Sequence, residues 1–398
     1  MRPVMRSTLE HPDIHMKPVS KLLLLSLLFV LPGVFAQTPQ AIPDPPAVAA
    51  KGYLLIDFNS GQILAEKNAD ERLEPASLTK IMTGYVVFRE LAAGKIALGD
   101  QVLISERAWR TGGSKMFVEV GKQVSIQDLL MGMIVQSGND ASVALAEHVA
   151  GSVEAFADLM NANAQRLGMT NSHFTNPHGL PDPELYITAR DIALVAMAIV
   201  REFPEFYGWY STREFTFNEI TQHNRNPLLR RDESADGIKT GYTQAAGYCL
   251  VSSAKRNDMR LISVVMGSPT PNARADASLA LMNYGFRYYE SHLLYPADEP
   301  VESFRVWKGD QEWLPVGPVS DVFATFPRGR YAELAARLEK AEANLTAPIA
   351  SGTPVGEVIV TFDGAEINRL PLIGLAGIEK GNLWQIARDS VLGLFQSQ

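Results

Sequence analysis

The chain has 398 residues, 46% of them hydrophobic and 20% charged, with a formal net charge of −8. This length and apolar content suit two domains of roughly 100 to 200 residues and exclude disorder and collagen-like repeats. The acidic balance, with no block of like charges, excludes the footprint of a nucleic-acid partner. The lone Cys249 can form neither an internal disulfide nor a thiolate zinc cluster, and the seven histidines include no H-E-x-x-H pair, so neither a metal nor another cofactor is expected.

In chain order, Leu22 to Val34 is an apolar run preceded by Lys17 and Lys21 and followed by small residues up to Ala36. It is short for a membrane span, and Pro32 shortens it further, so residues 1–36 read as a secretory leader rather than an uncleaved anchor. Glu10 and Asp13 are unusual in a leader, which points to Met16 as the true start. Residues 37–49 carry four prolines and read as an extended tether, with structure expected from about Ala50.

Tyr53 to Asp57 and Gln62 to Lys67, joined by Asn59-Ser60-Gly61, predict a hairpin. Leu78, Ile81, Met82 and Tyr85 follow Pro75 at helical spacing and predict a buried helix. Leu129 to Val149 and Ala189 to Val200 read as further buried helices. Tyr248 to Ala254 and Met259 to Met266, joined by Arg256-Asn257-Asp258, predict a second hairpin. Strands at both ends with helices between predict an α/β domain over residues 50–290, its mostly antiparallel sheet closing N-terminal strands onto C-terminal ones. Residues 291–382, with Ser303 to Trp307 and Val358 to Phe362 as examples, read as a smaller β-rich domain. Residues 383–398 form an amphipathic helix, with Leu383, Trp384, Ala387, Val391, Leu394 and Phe395 on one face and Gln385, Asp389 and Ser390 opposite. Such a helix either lies on a membrane surface or packs against the β-domain.

Ser77 and Lys80, in PASLTK, lie three residues apart, so one helical face can present a nucleophile and its base. A lone S-x-x-K is weak; Ser252 to Lys255 matches too, inside a predicted strand where the geometry fails. Ser137-Gly138-Asn139 follows 60 residues after Ser77, and Lys239-Thr240-Gly241 another 102 residues on. Together the three motifs, in this order, form the set of penicillin-binding proteins and class A β-lactamases. A serine hydroxyl needs a base within reach, and a lysine serves only with a depressed pKa, which burial and a second nearby cation such as Lys239 would supply. Ser137 can relay a proton to the leaving amine, and the Asn139 amide can orient Lys80 and the substrate backbone. Lys239 and Thr240 offer a cation and a hydroxyl to a carboxylate, and Gly241 lets substrate approach the strand edge.

The segments PASLTKIMTGYVV, QSGNDASVALAEHVAGS, NPHGL, DGIKTGYTQAAGY and RLISVVMG resemble blocks of the low-molecular-mass penicillin-binding proteins of the D-alanyl-D-alanine carboxypeptidase type, over about residues 45–398. The resemblance implies a penicillin-binding, serine β-lactamase-like α/β domain followed by the β-rich domain and the terminal helix. It implies Ser77 as the acylated nucleophile, Lys80 as general base, Ser137 and Asn139 as the second catalytic element, and Lys239, Thr240 and Gly241 along the substrate strand. It places the Ser77 and Tyr242 N–H groups in the oxyanion hole and Arg225, Arg274 and His178 near the site. Family members often carry histidine after K-T-G, where this chain has Tyr242.

The implied activity removes the terminal D-alanine from peptidoglycan pentapeptide stems, with β-lactams as covalent inhibitors. The enzyme would be exported to the periplasm and attached peripherally to the cytoplasmic membrane through its last helix. Two other readings stand beside it. One is a class A-like β-lactamase, disfavoured by the missing E-x-x-L-N loop, of which Glu184-Leu185 is the nearest fragment, and by the second domain. The other is a non-catalytic peptidoglycan-binding scaffold, disfavoured by the intact motifs.

Overall fold

A computed structural model describes residues 42–396 of the chain; the expected leader, the start at Met16 and the first residues of the tether lie outside the described residues. The central sheet contains β1 (Gly52–Asp57), β2 (Ile63–Lys67), β3 (Ala235–Thr243), β4 (Gly247–Arg256) and β5 (Met259–Ser268), in the order β2-β1-β5-β4-β3. All its pairings are antiparallel. Gly52 pairs with Met266 and Asp57 with Leu261, so the first strand is zipped to the last and the intervening chain forms a helical lobe. Every residue of β1 is buried, because the strand is central and covered on both faces, which is why GYLLID is apolar almost without alternation.

On one face α1 (Thr79–Ala92) runs through the main core, contributing Ile81, Met82, Tyr85 and Phe88. The later helix α4 (Ala189–Glu202) packs in the same core and starts where the Thr188 hydroxyl accepts the Asp191 N–H at 3.0 Å. On the other face α5 (Pro271–Tyr288) buries Leu281 and Met282 against Leu55, Leu261 and Val265.

The helix expected over Leu129 to Val149 is instead three pieces: α2 (Ile126–Met131), a π-helical turn (Gly132–Gln136) and α3 (Asn139–Ala150). Ser137 breaks it, in the left-handed region at φ 66°. Apolar periodicity continues through the break because both halves bury the same side, so hydrophobicity alone does not reveal it. The tether also differs from expectation. Ile42, Val48 and Ala50 pack against the α5 cluster, and the Tyr284 hydroxyl donates to Pro43 O at 3.0 Å. Prolines cannot join a ladder, but an extended strap can still bury side chains.

The expected domain boundary at residue 291 falls inside β6 (Tyr289–Tyr295). It is followed by β7 (Glu302–Trp307), β8 (Trp313–Pro318), β9 (Val322–Pro327), β10 (Leu334–Lys340), β11 (Leu345–Thr346), β12 (Pro354–Phe362) and β13 (Ala365–Gly374). These make a six-stranded sheet, β10-β12-β13-β8-β7-β11, and the β6–β9 pair, around a separate core that includes Phe304, Leu314, Phe326 and Val358. The two regions meet at the buried Asp57, whose Oδ1 accepts from Ser60 Oγ and Thr325 Oγ1, both at 2.9 Å, and from Ser291 Oγ at 3.3 Å.

The terminal helix α6 (Leu383–Gln396) rests on the β-domain by its polar side. Asp389, only 3% exposed, accepts the Lys308 N–H at 2.6 Å, and the Gln385 amide donates to Asp310 O at 3.3 Å. Leu383 and Trp384 are left 86% and 78% exposed. The helix therefore does pack against the β-domain, through its polar side, while Leu383, Trp384 and Val391 of its apolar face stay exposed. Among the described residues no helix is long and apolar enough to cross a membrane.

Candidate active site

Ser77 lies in a 3₁₀ turn (Ala76–Leu78) that enters α1, rather than in the first α-helical turn. Ala76 before it is buried at φ 47°, a conformation that costs an alanine about 1–2 kcal/mol and is held here by tertiary contacts. Three residues on, Lys80 is buried with its Nζ 3.0 Å from Ser77 Oγ, 2.6 Å from Asn139 Oδ1 and 2.7 Å from the His178 carbonyl oxygen.

The Asn139 amide is fixed at both ends, since its Nδ2 donates to Gly112 O at 2.7 Å. Ser137 lines the same cavity, and its buried Oγ has no hydrogen-bond partner among the described residues. The left-handed turn at Ser137 is what brings its hydroxyl and the Asn139 amide to one place from a chain that would otherwise continue as helix.

The edge strand β3 forms the opposite wall. Lys239 and Thr240 are buried, and a Cβ on Gly241 would lie 3.2 Å from the Ser77 nitrogen and 3.1 Å from Pro75 O, so glycine permits the strand to approach Ser77. Tyr242 is 53% exposed at the cavity mouth. Arg274, on α5, is buried and donates to Gly241 O at 3.1 Å and Cys249 O at 3.3 Å, bracing β3 against β4. Arg225 is exposed on the cavity wall. His178 contributes its carbonyl to Lys80, and its ring Nδ1 accepts the Leu180 N–H at 3.1 Å. All but Lys80 and Lys239 of the eleven residues expected at the site line one cavity of about 480 Å³, and those two sit in its walls.

Burial holds the Lys80 amine well below the ordinary lysine range, with Lys239 and Arg225 adding like-charge repulsion against a smaller opposing pull from Asp140. Lys239 is brought to about 7 by burial first, then by Arg225 and Arg274. His178 is lowered to about 3 by burial and the Lys80 charge, which keeps its imidazole neutral. Burial raises the Cys249 thiol to about 11, and the group lies behind the strand with only weak contacts to Ala246 O and Gly247 O.

A neutral amine has two hydrogens and one lone pair. Asn139 Oδ1 and His178 O can only accept, so they take both hydrogens of Lys80 and leave the lone pair facing the Ser77 hydroxyl, which can donate. With its lone pair free, the Lys80 amine is placed to take a proton from Ser77.

Sequence reasoning missed Asp140. Its carboxylate accepts the N–H groups of Met116, Phe117 and Val118 at 3.0, 2.9 and 3.3 Å, folding the loop that sets Gly113 and Ser114 on the cavity wall. An acidic residue directly after S-x-N was the available signal. Gly179 was missed as well; at φ 83° it lies so close to Ala76 that a Cβ would stand 1.8 Å from the Ala76 carbonyl oxygen. Glu184, the nearest fragment to a β-lactamase deacylating glutamate, is exposed and outside the cavity. Ser252 and Ser253 of the second S-x-x-K lie in β4, remote in register from the Ser77 turn.

Known proteins agree with this geometry. Residues 39–270 match the family model for D-alanyl-D-alanine carboxypeptidase, peptidase S11, and residues 289–380 match that for the C-terminal domain of penicillin-binding protein 5. The chain is 44% identical to D-alanyl-D-alanine carboxypeptidase DacA of Haemophilus influenzae, covering 96% of this chain and 100% of that protein. It is likewise 44% identical to DacC of Escherichia coli, over 93% of this chain and 94% of the relative. Among solved structures, penicillin binding protein 5 from Haemophilus influenzae superposes with a TM-score of 0.81 at 45% identity, over 85% of this chain and 100% of that one. With Ser77 paired to Lys80, a second serine at Ser137 and a cationic strand edge around one cavity, the chain belongs to the peptidase S11 family of D-alanyl-D-alanine carboxypeptidases, penicillin-binding hydrolases of the cell wall.

Proposed function

We propose that this enzyme removes the terminal D-alanine from peptidoglycan pentapeptide stems through an acyl-enzyme on Ser77. The observation that carries this reading is the Lys80 amine, whose two hydrogens are engaged by Asn139 Oδ1 and His178 O and whose third direction points at Ser77 Oγ, 3.0 Å away. Ser77 Oγ attacks the carbonyl of the penultimate D-alanine as its proton passes to Lys80 Nζ. The Ser77 and Tyr242 N–H groups bind the developing oxyanion, a contribution worth ~10²–10³ in rate per donor. Ser137 passes the proton on to the leaving amine as the C–N bond breaks, and free D-alanine departs. A water, deprotonated by Lys80, then attacks the ester and returns Ser77 to its starting state. Lys239, Thr240, Arg225 and Arg274 attract the substrate carboxylate, and Gly241 admits the substrate backbone to the strand edge.

β-Lactams acylate Ser77 by the same attack, the ring C–N bond taking the place of the scissile peptide. A related structure of penicillin-binding protein D2 from Listeria monocytogenes was solved in its ampicillin-bound form. The chain is exported and works in the periplasm, with α6 laying its exposed Leu383, Trp384 and Val391 on the outer face of the cytoplasmic membrane.

The test is D-alanine release from an acyl-Lys-D-Ala-D-Ala peptide by the mature chain and its Ser77→Ala variant. Release lost in the variant is expected; release that persists without Ser77, or none from the parent, rejects the reading. Deleting residues 383–398 should free the protein from membrane fractions with soluble activity retained, and unchanged fractionation would reject the anchoring role.

A further inference from the structure

Strand alternation divides the residues of β3 between two sides of its open edge. Lys239 is in register with Val251, and Val251 with Val264, both in the core beneath α1; their side chains share the nucleophile's side. Thr240 is in register with Leu250, and Leu250 with Val265, in the core beneath α5. Tyr242 follows Thr240 on that second side, directly opposite Tyr248 on β4. The two rings stack with centroids 4.2 Å apart at 27°, and the Arg274 guanidinium lies 5.5 Å from the Tyr248 ring centroid. The open side of the nucleophile is thus bounded by a cation-backed aromatic shelf, and Thr240, Tyr242, Tyr248 and Arg274 all reach the cavity.

We infer that the Tyr242–Tyr248 stack is a gauge for the side chain of the leaving residue, admitting a methyl or hydrogen and turning away larger groups. The inference rests on the peptidase reading above. A substrate paired along β3 sends the groups flanking its scissile carbonyl to alternate sides of the edge. The terminal carboxylate goes to the side holding Thr240 and Arg274, which carries the leaving residue onto the stacked pair. Tyr242 is exposed to solvent on one side, yet its ring is held by Tyr248, which is itself held by Arg274, so the shelf yields little to a bulky leaving group. A pocket of this kind discriminates by about 10- to 200-fold per methylene.

The measurement is kcat/KM for the full mature enzyme on acyl-Lys-D-Ala-D-Ala and on the same peptide ending in D-leucine, for the parent, Tyr242→Phe and Tyr242→Ala, with thermal melts to confirm folding. The parent should favour the D-alanine leaving group by at least tenfold. Tyr242→Phe, which keeps the stack, should preserve that ratio, whereas Tyr242→Ala, which keeps the backbone N–H, should shrink it at least tenfold. A parent without preference, or a Tyr242→Ala ratio within twofold of the parent's, overturns the inference while leaving the carboxypeptidase reading intact. A parent that releases neither residue overturns the peptidase reading, and the gauge with it.

Discussion

Replacing Gly179 by alanine tests the idea that one backbone contact aligns both the nucleophile and its base. The added Cβ would stand 1.8 Å from the Ala76 carbonyl oxygen and 2.5 Å from its carbonyl carbon, where ordinary contact begins near 3.4 Å, so one backbone must retreat by about 1.6 Å. Neither retreat is harmless. Moving Ala76 moves Ser77, its neighbour; moving the loop withdraws the His178 carbonyl that orients Lys80 at 2.7 Å. The loop is itself tied down, because Asn176 Oδ1 accepts the Gly179 N–H at 2.7 Å. The φ of 83° adds a left-handed penalty of about 1–2 kcal/mol for any side chain. A displacement near 1 Å in a catalytic constellation costs about 10²-fold. The expected result is a fall of about 10²-fold or more in the rate of acylation by a fluorescent penicillin, with a melting temperature lowered by about 2–8 °C. Gly168→Ala supplies the control: φ is 77° there, but among the described residues nothing lies within 4 Å of the added Cβ, so stability should fall while acylation holds. A folded Gly179→Ala enzyme that acylates within threefold of the parent would refute the reasoning.

Three further outcomes are expected. Asp140→Ala should cost about 3–5 kcal/mol in denaturant unfolding, since three backbone donors, two of them buried, lose a charged acceptor; a loss below 1 kcal/mol would mean that the 112–118 loop is held by something else. Stability should rise with pH between 7 and 9, because Lys239 has a folded pKa of about 7 and the unfolded chain holds a proton there that the folded one has shed. The slope from this group is at most about 1.4 kcal/mol per pH unit, and Lys239→Gln should remove it; identical slopes for parent and variant would count against the burial argument. Ser137→Gly keeps the left-handed turn and should leave stability within about 1 kcal/mol, yet lower D-alanine release by about 10²–10⁴-fold as a lost proton relay; turnover within threefold of the parent would dismiss that role.

The hairpins, the sheet that joins Gly52 to Met266, the helix after Pro75 and the three motifs were legible in the sequence, because each depends on local periodicity or turn chemistry. Spacing of three residues was enough to set Lys80 beside Ser77. What brought Asn139 and the His178 carbonyl to the same amine, from 59 and 98 residues away, was packing of the helical lobe. The break at Ser137 escaped a pattern argument because a left-handed residue leaves no mark on hydrophobic periodicity. The amphipathic character of α6 was evident from its residues, but which face docks was decided by two hydrogen bonds to Lys308 and Asp310 backbone that no helical wheel contains. Residue type thus fixed which groups could do chemistry. Burial and distance, which exist only in the folded chain, set the Lys80 amine beside Ser77 and hold it well below the ordinary lysine range, bring Lys239 to about 7 and raise the buried Cys249 thiol to about 11.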